Sequence, residues 1–336
     1  MPLLHERFPA LRETLPHLAL EQRRPTPVRR LAGLAPEGVE LWLKDDGAYG
    51  AGGWGGNKVR KLEWLLPAAE RRPCRTILTF GGLGTNWGLA AALYGRDRSV
   101  DVALALIDQP LDDHVRAQLE RLARSGATIH RTRTKARTIA TVPWLLLRHR
   151  RGRHLPYLLP AGGSSPLGAT GYVEAALEIA AQVEADELPE PAHVIAAVGS
   201  GGTAAGLVLG LRLAGLRSKV IGIVVSDALP LDRRTLLRLA GRTAALLERR
   251  GARGVAALAS GLDLDSLGGW IGAGYGHRTE TGERARIEAE AIGLRLDPVY
   301  TAKAMAATLE LARSGRLGEG PVLFVHTDGP RPGPVP

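Results

Sequence analysis

The sequence contains little cysteine, few aromatic residues and no long apolar run, and each shortage narrows the possible folds. Cys74 is the only cysteine among 336 residues, which excludes an internal disulfide and disfavours a metal site built from thiolates. Aromatic residues make up 4%, so the core must rest on aliphatic side chains, and 42 glycines and 22 prolines predict many tight connections. This profile favours an α/β fold over a β-sandwich.

No segment has the length or apolarity of a membrane-spanning helix, which needs about 18 or more uninterrupted apolar residues. The first residues also lack a basic stretch followed by an apolar run, the pattern of a secretory signal. We therefore expect a protein that does not enter a membrane and that is cytoplasmic.

The excess of positive charge is confined to one part of the chain. Residues 116–153 hold ten arginines and one lysine against one acid, Glu120, which equals the net charge of +10. Such a segment could bind nucleic acid, but it has few interleaved aromatic residues and no nucleic-acid motif. A solvated face explains it adequately, and an acidic partner protein or an anionic substrate is favoured over nucleic acid.

Lysine is scarce: the chain has six lysines against 38 arginines, and three of the six lie between positions 44 and 61. Only a primary amine can condense with an aldehyde, and a guanidinium cannot replace it. Lys58 lies in the middle of residues 52–63, which read Gly-Gly-Trp-Gly-Gly-Asn-Lys-Val-Arg-Lys-Leu-Glu. It is the candidate for covalent chemistry, although the residue alone favours an exposed lysine near the start of an amphipathic helix.

The local pattern predicts a setting that would activate this lysine. Residues 1–38 are expected to form an irregular arm, followed by a strand over 39–44 and a helix over 57–69 with Asn57 as its cap. Lys58 would then lie in the first helical turn. The positive end of the helix dipole favours a neutral and therefore nucleophilic amine there.

A second glycine-rich segment, residues 199–203 (Gly-Ser-Gly-Gly-Thr), separates a predicted strand from a predicted helix. We call it the 199–203 loop. Its backbone N–H groups can converge on a phosphate at the helix N-terminus. Two other interpretations stay open: a tight turn, and a dinucleotide fingerprint in which Gly199, Gly201 and Ala204 match G-x-G-x-x-A and Asp227 binds a ribose.

The two glycine-rich segments together favour one cofactor. A hydride-transfer enzyme has no use for a lysine among glycines elsewhere in the chain, whereas pyridoxal phosphate needs both a phosphate site and an amine that forms an imine. A nicotinamide-binding oxidoreductase remains the rival interpretation.

Six segments, in order, resemble a single family. Residues 55–63 are similar to the Schiff-base segment of fold-type II pyridoxal-phosphate enzymes, in the group that holds D-cysteine desulfhydrase and 1-aminocyclopropane-1-carboxylate deaminase. The other matching segments are residues 81–86, 162–168, 199–203, 297–303 and 324–329. The resemblance covers nearly the whole chain. It implies a two-domain α/β fold like that of the tryptophan synthase β subunit, with twisted parallel sheets flanked by helices and the cofactor between the domains.

The resemblance also implies a role for each matching residue. Lys58 would form the Schiff base with pyridoxal 5′-phosphate and then move protons at the substrate Cα. Tyr275 and Tyr300 would be acid/base groups at the β-position or the leaving group. The residues implied to hold the cofactor are Asn86 at its 3′ oxygen, Gly199, Ser200, Gly201, Gly202 and Thr203 at its phosphate, and Thr327 at its pyridine nitrogen. Those implied at the substrate carboxylate are Asn86, Trp87 and Thr85, of which Thr85 is also a candidate catalytic residue.

Two threonines bear on the type of reaction. Thr327 would meet the pyridine nitrogen with a neutral hydroxyl, which holds a proton there less well than a carboxylate and makes the ring a weaker electron sink. A ring that is a weaker electron sink suits a reaction in which a β-substituent is lost rapidly. The deaminases that this chain resembles have a glutamate at the position of Thr301, so this residue favours the desulfhydrase activity. Thr85 and Trp87 depart from the usual residues of the family. They would reshape the substrate pocket, so the identity of the substrate does not follow from the resemblance.

The sequence therefore predicts a pyridoxal-phosphate lyase that eliminates a β-substituent from a small amino acid, such as cysteine, to give a keto acid and ammonia. Alternatives are a β-replacement enzyme, a ring-opening deaminase and a noncatalytic ligand-binding relative. The expected large domain combines residues 1–60 and 169–336, and the small domain is 61–168. The resemblance also implies a homodimer.

Overall fold

The computed structural model describes residues 1–20, 25–50 and 56–327. Over most of this length strands and helices alternate, as expected of an α/β protein. The helices are α1 (Leu3–Arg7), α2 (Leu11–Thr14), α3 (Val59–Glu70), α4 (Asn86–Arg96), α5 (Asp113–Arg124), α6 (Lys135–Arg148), α7 (Pro166–Glu184), α8 (Gly202–Ala214), α9 (Arg233–Arg249), α10 (Glu280–Glu290) and α11 (Thr301–Arg313). The strands are β1 (Val28–Arg30), β2 (Leu41–Lys44), β3 (Thr76–Gly82), β4 (Asp101–Ile107), β5 (Thr128–Arg133), β6 (Tyr157–Leu158), β7 (His193–Val198), β8 (Lys219–Val224), β9 (Leu264–Leu267) and β10 (Val322–Val325).

The strands form two sheets. The larger has the order β1-β2-β10-β7-β8-β9 and is parallel except for β1, which pairs antiparallel with β2. The smaller has the order β5-β4-β3-β6 and is parallel throughout. The central strands are continuous apolar runs because helices cover both of their faces. The predicted fold class is confirmed.

The four strands of the smaller sheet fall between residues 61 and 168, and the six strands of the larger sheet fall outside that range. The division into a 61–168 domain and a second domain stays a prediction, which this distribution favours. Helix α3 packs in the cores of both sheets. Trp64 belongs to the apolar core beside the larger sheet, and Leu62 and Leu65 belong to the core of the smaller one.

Three helices approach one another closely through glycines. A Cβ on Gly171 of α7 would lie 2.1 Å from the carbonyl oxygen of Arg60, so only glycine lets α7 reach the backbone of α3. On the opposite side of α7, a Cβ on Gly206 of α8 would lie 2.3 Å from the carbonyl oxygen of Ala169. This packing holds the start of α3 near the start of α8, the two helix ends that the sequence predicts to form the site.

A buried cluster of charges fixes the first turn of α3. Arg60 Nη2 lies 2.8 Å from Asp46 Oδ1 and 3.0 Å from Glu178 Oε1, and Lys44 Nζ lies 2.7 Å from the same Glu178 oxygen. Burial alone would raise the pKa of Glu178, but Arg60 and Lys44 lower it far below its ordinary value. Arg60 is thereby held by two carboxylates from different parts of the chain.

The structure corrects two expectations from the sequence and adds one strand that was not predicted. Residues 1–38 are not an irregular arm throughout, since they contain α1, α2 and β1. The sequence did not predict strand β9, because Leu-Asp-Ser-Leu has only a weak strand pattern. Asn57 does not cap α3: the chain enters this helix through a 3₁₀ turn over Gly56–Lys58, and Lys58 occupies the cap position in a right-handed conformation without a side-chain cap.

The basic segment 116–153 covers most of α5, all of β5 and α6, and the residues that follow α6. Nine of its ten arginines are exposed, as expected of a solvated face. In the parts of the chain that the structure describes, no helix has the combination of length and apolarity needed to cross a bilayer. The glycine-rich stretch 51–55 and the last nine residues lie outside the described residues.

Glu178→Gln should destabilise the protein strongly, because it leaves Lys44 and Arg60 buried with one anion fewer. Removal of one partner from a buried ion pair typically costs about 3–5 kcal/mol. We expect the free energy of unfolding at pH 7, measured by urea denaturation, to fall by that order.

The matched control is Glu280→Gln, which removes an exposed partner of Arg284 and should change the unfolding free energy by less than about 0.5 kcal/mol. The gap between wild type and Glu178→Gln should narrow in acid. Because the pKa of Glu178 is lowered on folding, its contribution is present above the ordinary value of 4.5 and is lost as the pH falls through the folded-state value. Equal losses in the two variants, or a gap independent of pH, would contradict this account.

Candidate active site

A cavity of about 570 Å³ lies between the two sheets, where the carboxyl ends of β3, β4, β7 and β8 meet the first turns of α3, α4 and α8. Eleven of the twelve residues named from the sequence line this cavity. They are Lys58, Thr85, Asn86, Trp87, Gly199, Ser200, Gly201, Thr203, Tyr275, Tyr300 and Thr327. The twelfth, Gly202, donates its backbone N–H to Ser164 Oγ at 3.0 Å beside the cavity. Residues from both ends of the chain therefore share one site, although their individual roles stay predictions.

Lys58 is half-buried at the end of the 3₁₀ turn that leads into α3. Its Nζ donates a hydrogen bond to Asn57 Oδ1 at 3.1 Å. Asn57, proposed from the sequence as a helix cap, thus orients the lysine amine instead. Lys58 lines the cavity.

The 199–203 loop joins the end of β7 to the start of α8, where backbone N–H groups point outward from the helix. Gly201 has φ +89°, a left-handed conformation that favours glycine, and it occupies the cap position of α8. A Cβ on Gly199 would lie 2.9 Å from Cε1 of Tyr300, so glycine also makes room for that ring. The loop is shaped as an anion cradle that directly adjoins Tyr300.

Lys61 is a site residue that sequence reasoning missed. It is 1% exposed, and its Nζ donates to the carbonyl oxygen of Gly162 at 3.1 Å and to Ser164 Oγ at 3.3 Å. Burial, and then the positive charge of Lys58, hold the pKa of Lys61 well below its usual range. Within the described residues no carboxylate forms an ion pair with it, and a Cβ on Gly202 would lie only 2.8 Å from its Nζ. The three-residue spacing from Lys58, one helical turn, was the available signal.

Ser164 connects Lys61 to the 199–203 loop. Its hydroxyl lies 2.8 Å from Ser200 Oγ and accepts the N–H of Gly202 at 3.0 Å. An incoming anion would therefore meet a cluster of donors, namely two serine hydroxyls, the backbone N–H groups of the loop and the buried amine of Lys61.

The first turn of α4 supplies the predicted carboxylate site. Thr85 caps this helix, because its Oγ1 accepts the N–H of Gly88 at 3.0 Å. Asn86 Oδ1 accepts a hydrogen bond from Gln118 Nε2 at 2.7 Å. The indole N–H of Trp87 donates to Thr79 Oγ1 at 2.8 Å, so the polar atom of this residue is already satisfied inside the protein. What α4 offers a carboxylate is its N-terminal backbone N–H groups and the positive end of its dipole.

The two tyrosines form a hydrogen-bonded pair. Their hydroxyl oxygens are 2.6 Å apart. Burial raises the pKa of Tyr275, and burial and then the neighbouring Tyr275 hold the pKa of Tyr300 well above its usual range. Both hydroxyls are consequently protonated at neutral pH, and one of them can give a proton to a third group. Tyr300 is fixed by Asp297, whose Oδ1 accepts its backbone N–H at 2.7 Å.

Gln109 lies between residues 275–276 and the residues before α4, and sequence reasoning gave no indication of it. Its Oε1 accepts the N–H of Gly84 at 3.1 Å. A Cβ on Gly82 would lie 2.1 Å from the same oxygen and 2.9 Å from Cε1 of Tyr275, and a Cβ on Gly276 would lie 3.3 Å from Cβ of Gln109. One amide side chain therefore lies between the predicted carboxylate site and the predicted acid.

Comparison with known proteins decides which cofactor this geometry serves. Residues 19–328 match the family described as pyridoxal-phosphate dependent enzyme. The chain belongs to the pyridoxal-phosphate dependent enzymes. It is 33% identical to a D-cysteine desulfhydrase of Salmonella paratyphi A and 34% identical to one of Klebsiella pneumoniae, over 91% of this chain and 92% of each relative. A solved structure described as an ACC deaminase homologue is 29% identical, with a TM-score of 0.79, and covers 98% of this chain and 95% of the other. The predicted family and cofactor are confirmed.

The residues fit pyridoxal phosphate. The 199–203 loop and Lys61 would hold its phosphate, Lys58 would offer the amine for its aldehyde, and Thr327 would meet its ring at the end of the segment that follows β10. The nicotinamide interpretation assigned Asp227 to a ribose. In the structure, Asp227 Oδ1 instead accepts the backbone N–H of Tyr275 at 3.2 Å. Asp328, next to Thr327 in the matching C-terminal segment, lies outside the described residues.

Lys61→Met should weaken the binding of pyridoxal phosphate by about 10- to 100-fold, because a hydrogen bond to a charged group contributes roughly 1.5–3 kcal/mol. Titration of the apoprotein, followed by the near-violet absorption of the bound cofactor, measures this affinity. Pyridoxal, which lacks the phosphate, should bind both proteins equally.

Lys219→Met is the matched control, since Lys219 forms a surface pair with Asp265 on β8 and β9. An equal loss of affinity for pyridoxal and for pyridoxal phosphate in Lys61→Met would show that Lys61 does not face the phosphate.

Proposed function

We propose that this protein eliminates the β-substituent of cysteine or of a related β-substituted alanine, giving a keto acid and ammonia. The observation that carries the proposal is the Tyr275–Tyr300 hydroxyl pair, which lines the same cavity as the Lys58 amine. An elimination needs a base at Cα and an acid at the leaving group, and these are the two functions that the cavity supplies.

Pyridoxal phosphate, when bound, supplies an aldehyde that condenses with amines and an electron sink that stabilises negative charge at Cα. The chain's own residues do the rest. The N-terminal N–H groups of α4 bind the substrate carboxylate and fix the orientation of Cα. The Lys58 amine would take the proton from Cα.

Proton transfer completes the elimination. The electron pair of the Cα–H bond forms a double bond to Cβ while the Cβ–S bond breaks, and sulfur leaves with its electron pair. The tyrosine pair donates a proton to this sulfur, so that cysteine loses hydrogen sulfide. Water then releases the keto acid and ammonia. For cysteine and water the products are pyruvate, hydrogen sulfide and ammonia, which balances all atoms.

The names of the relatives favour D-cysteine as the first substrate to test, and Thr301 agrees with elimination rather than ring opening. Its side chain is buried, does not line the cavity and donates to Asp297 Oδ2 at 2.7 Å. A threonine in this place supports the start of α11 and offers the cavity no second acid. A β-replacement enzyme would use the same residues and differs only in what captures the product of elimination.

We further propose that the protein is a cytoplasmic homodimer, as the resemblance to its family implies. The basic segment 116–153 remains a candidate surface for an acidic protein. Light scattering of the purified protein tests the dimer: twice the chain mass of 35.8 kDa is expected, and a monomer at all concentrations would contradict it.

Incubation of the purified holoenzyme with D-cysteine, L-cysteine and 1-aminocyclopropane-1-carboxylate tests the reaction. We expect keto acid and sulfide in equal amounts from one cysteine enantiomer. Lys58→Ala should abolish both the activity and the near-violet absorption, and Tyr300→Phe should lower kcat by about 100- to 10,000-fold.

Tyr157→Phe is the matched control, because Tyr157 packs under Arg72 outside the cavity. Keto acid from the cyclopropane substrate alone would contradict the elimination. No keto acid from any of these compounds would leave β-replacement as the better proposal.

A further inference from the structure

One side of the cavity is much less polar than the rest. Six apolar side chains line it from the smaller sheet and α6, and we call them the apolar wall. They are Phe80, Ile107, Ile139, Val142, Pro143 and Leu158. Phe80 and Ile107 lie near the carboxyl ends of β3 and β4, Leu158 ends β6, and the other three occupy the middle of α6. On the far side of the cavity, after β8, Leu229 also faces it.

The apolar wall lies apart from the groups that the cofactor requires. The 199–203 loop and Thr327 belong to the side of the larger sheet, whereas the six wall residues belong to the side of the smaller one. A substrate bound through its carboxylate at α4 also lies on the side of the smaller sheet. A side chain directed from there toward the smaller sheet or α6 meets the apolar wall.

Large apolar side chains around the cavity are exposed to solvent, which costs free energy. Ile139 is 64% exposed, Leu158 43% and Leu229 36%, and these are three of the ten large apolar side chains that are exposed in the described part of the chain. All three line this one cavity. Exposed apolar surface that is gathered around a pocket indicates that a ligand covers it.

The charges around the cavity restrict the ligand further. Its described lining includes three lysines, Lys58, Lys61 and Lys135, and no acidic residue. A cationic substituent would find no partner here and would meet like charge. The lining therefore suits a neutral apolar substituent. Lys135, at the start of α6, would also accept a substituent that ends in a negative charge.

We propose that the apolar wall is a subsite for the β-substituent, and that the preferred substrates are β-substituted alanines with an apolar leaving group, such as S-alkylcysteines. This inference rests on the proposed elimination and specifies its substrate class. For S-propylcysteine the Cβ–S bond breaks, and sulfur takes both electrons and one proton. With one water, the products are propane-1-thiol, pyruvate and ammonia.

Inert amino acids measure the subsite without any leaving group. Alanine, norvaline and norleucine share the amino and carboxylate groups and differ only in apolar length. Each buried methylene should strengthen binding about fourfold, so norleucine should inhibit cysteine turnover at least about tenfold more strongly than alanine, in the enantiomer that the enzyme accepts. S-Propylcysteine should likewise be turned over with a kcat/KM at least as high as that of cysteine.

Substitution of the wall tests whether these residues make the contact. In Ile139→Ser/Val142→Ser, the ratio of the inhibition constants of alanine and norleucine should fall about fivefold or more. Trp144→Ser is the matched control: Trp144 is an exposed aromatic residue of the same helix that does not line the cavity, and this variant should keep the wild-type ratio. If the wall only packs against the facing part of the protein when the cavity closes, both amino acids lose affinity alike and the ratio stays constant.

The possible failures are distinct. Turnover of cysteine combined with equal inhibition by alanine and norleucine would overturn the subsite and leave the proposed function intact. So would a ratio that the double variant does not change. Absence of keto acid from cysteine and from S-propylcysteine alike would overturn the proposed elimination itself, and the subsite with it.

Discussion

The close approach of α3 to α7 is the constraint on which the site depends. Gly171 lets the backbone of α7 touch that of Arg60, and the Arg60 guanidinium is held between Asp46 and Glu178. Lys58 lies two residues before this anchor and Lys61 one residue after it. A buried guanidinium bound by two carboxylates leaves the first turn of α3 little freedom to rotate. The positions of both lysines are therefore set by the contacts of Arg60 and Gly171 and not by contacts of the lysines themselves.

The same packing relates the lysines to the anion cradle. Helix α7 contacts α3 on one side and α8 on the other, and α8 begins at the 199–203 loop. The amine for an aldehyde and the donors for a phosphate are therefore set by one block of three helices. The smaller sheet completes the cavity with α4, the predicted site of the carboxylate, and with the apolar wall.

The sequence predicts the residues whose signal is local and misses those whose role depends on distant parts of the chain. Lys58 and the 199–203 loop stand out because glycine, lysine and strand-to-helix order mark them within a few residues. Gln109 carries no such mark, since Gly84, Tyr275 and Gly276 are brought to it only by the fold. Asn57 shows the opposite error: it has the residue type of a helix cap, but the 3₁₀ turn before α3 gives its side chain a different partner.

The central claim is that Lys58, and not the neighbouring buried Lys61, carries the cofactor. Reduction of the holoenzyme with borohydride makes the linkage between lysine and cofactor permanent, and peptide mass spectrometry then locates it. The account predicts one phosphopyridoxyl group on the peptide that contains Lys58, at that residue, with Lys61 unmodified. A modification at Lys61, or at any lysine outside the cavity, would contradict the account.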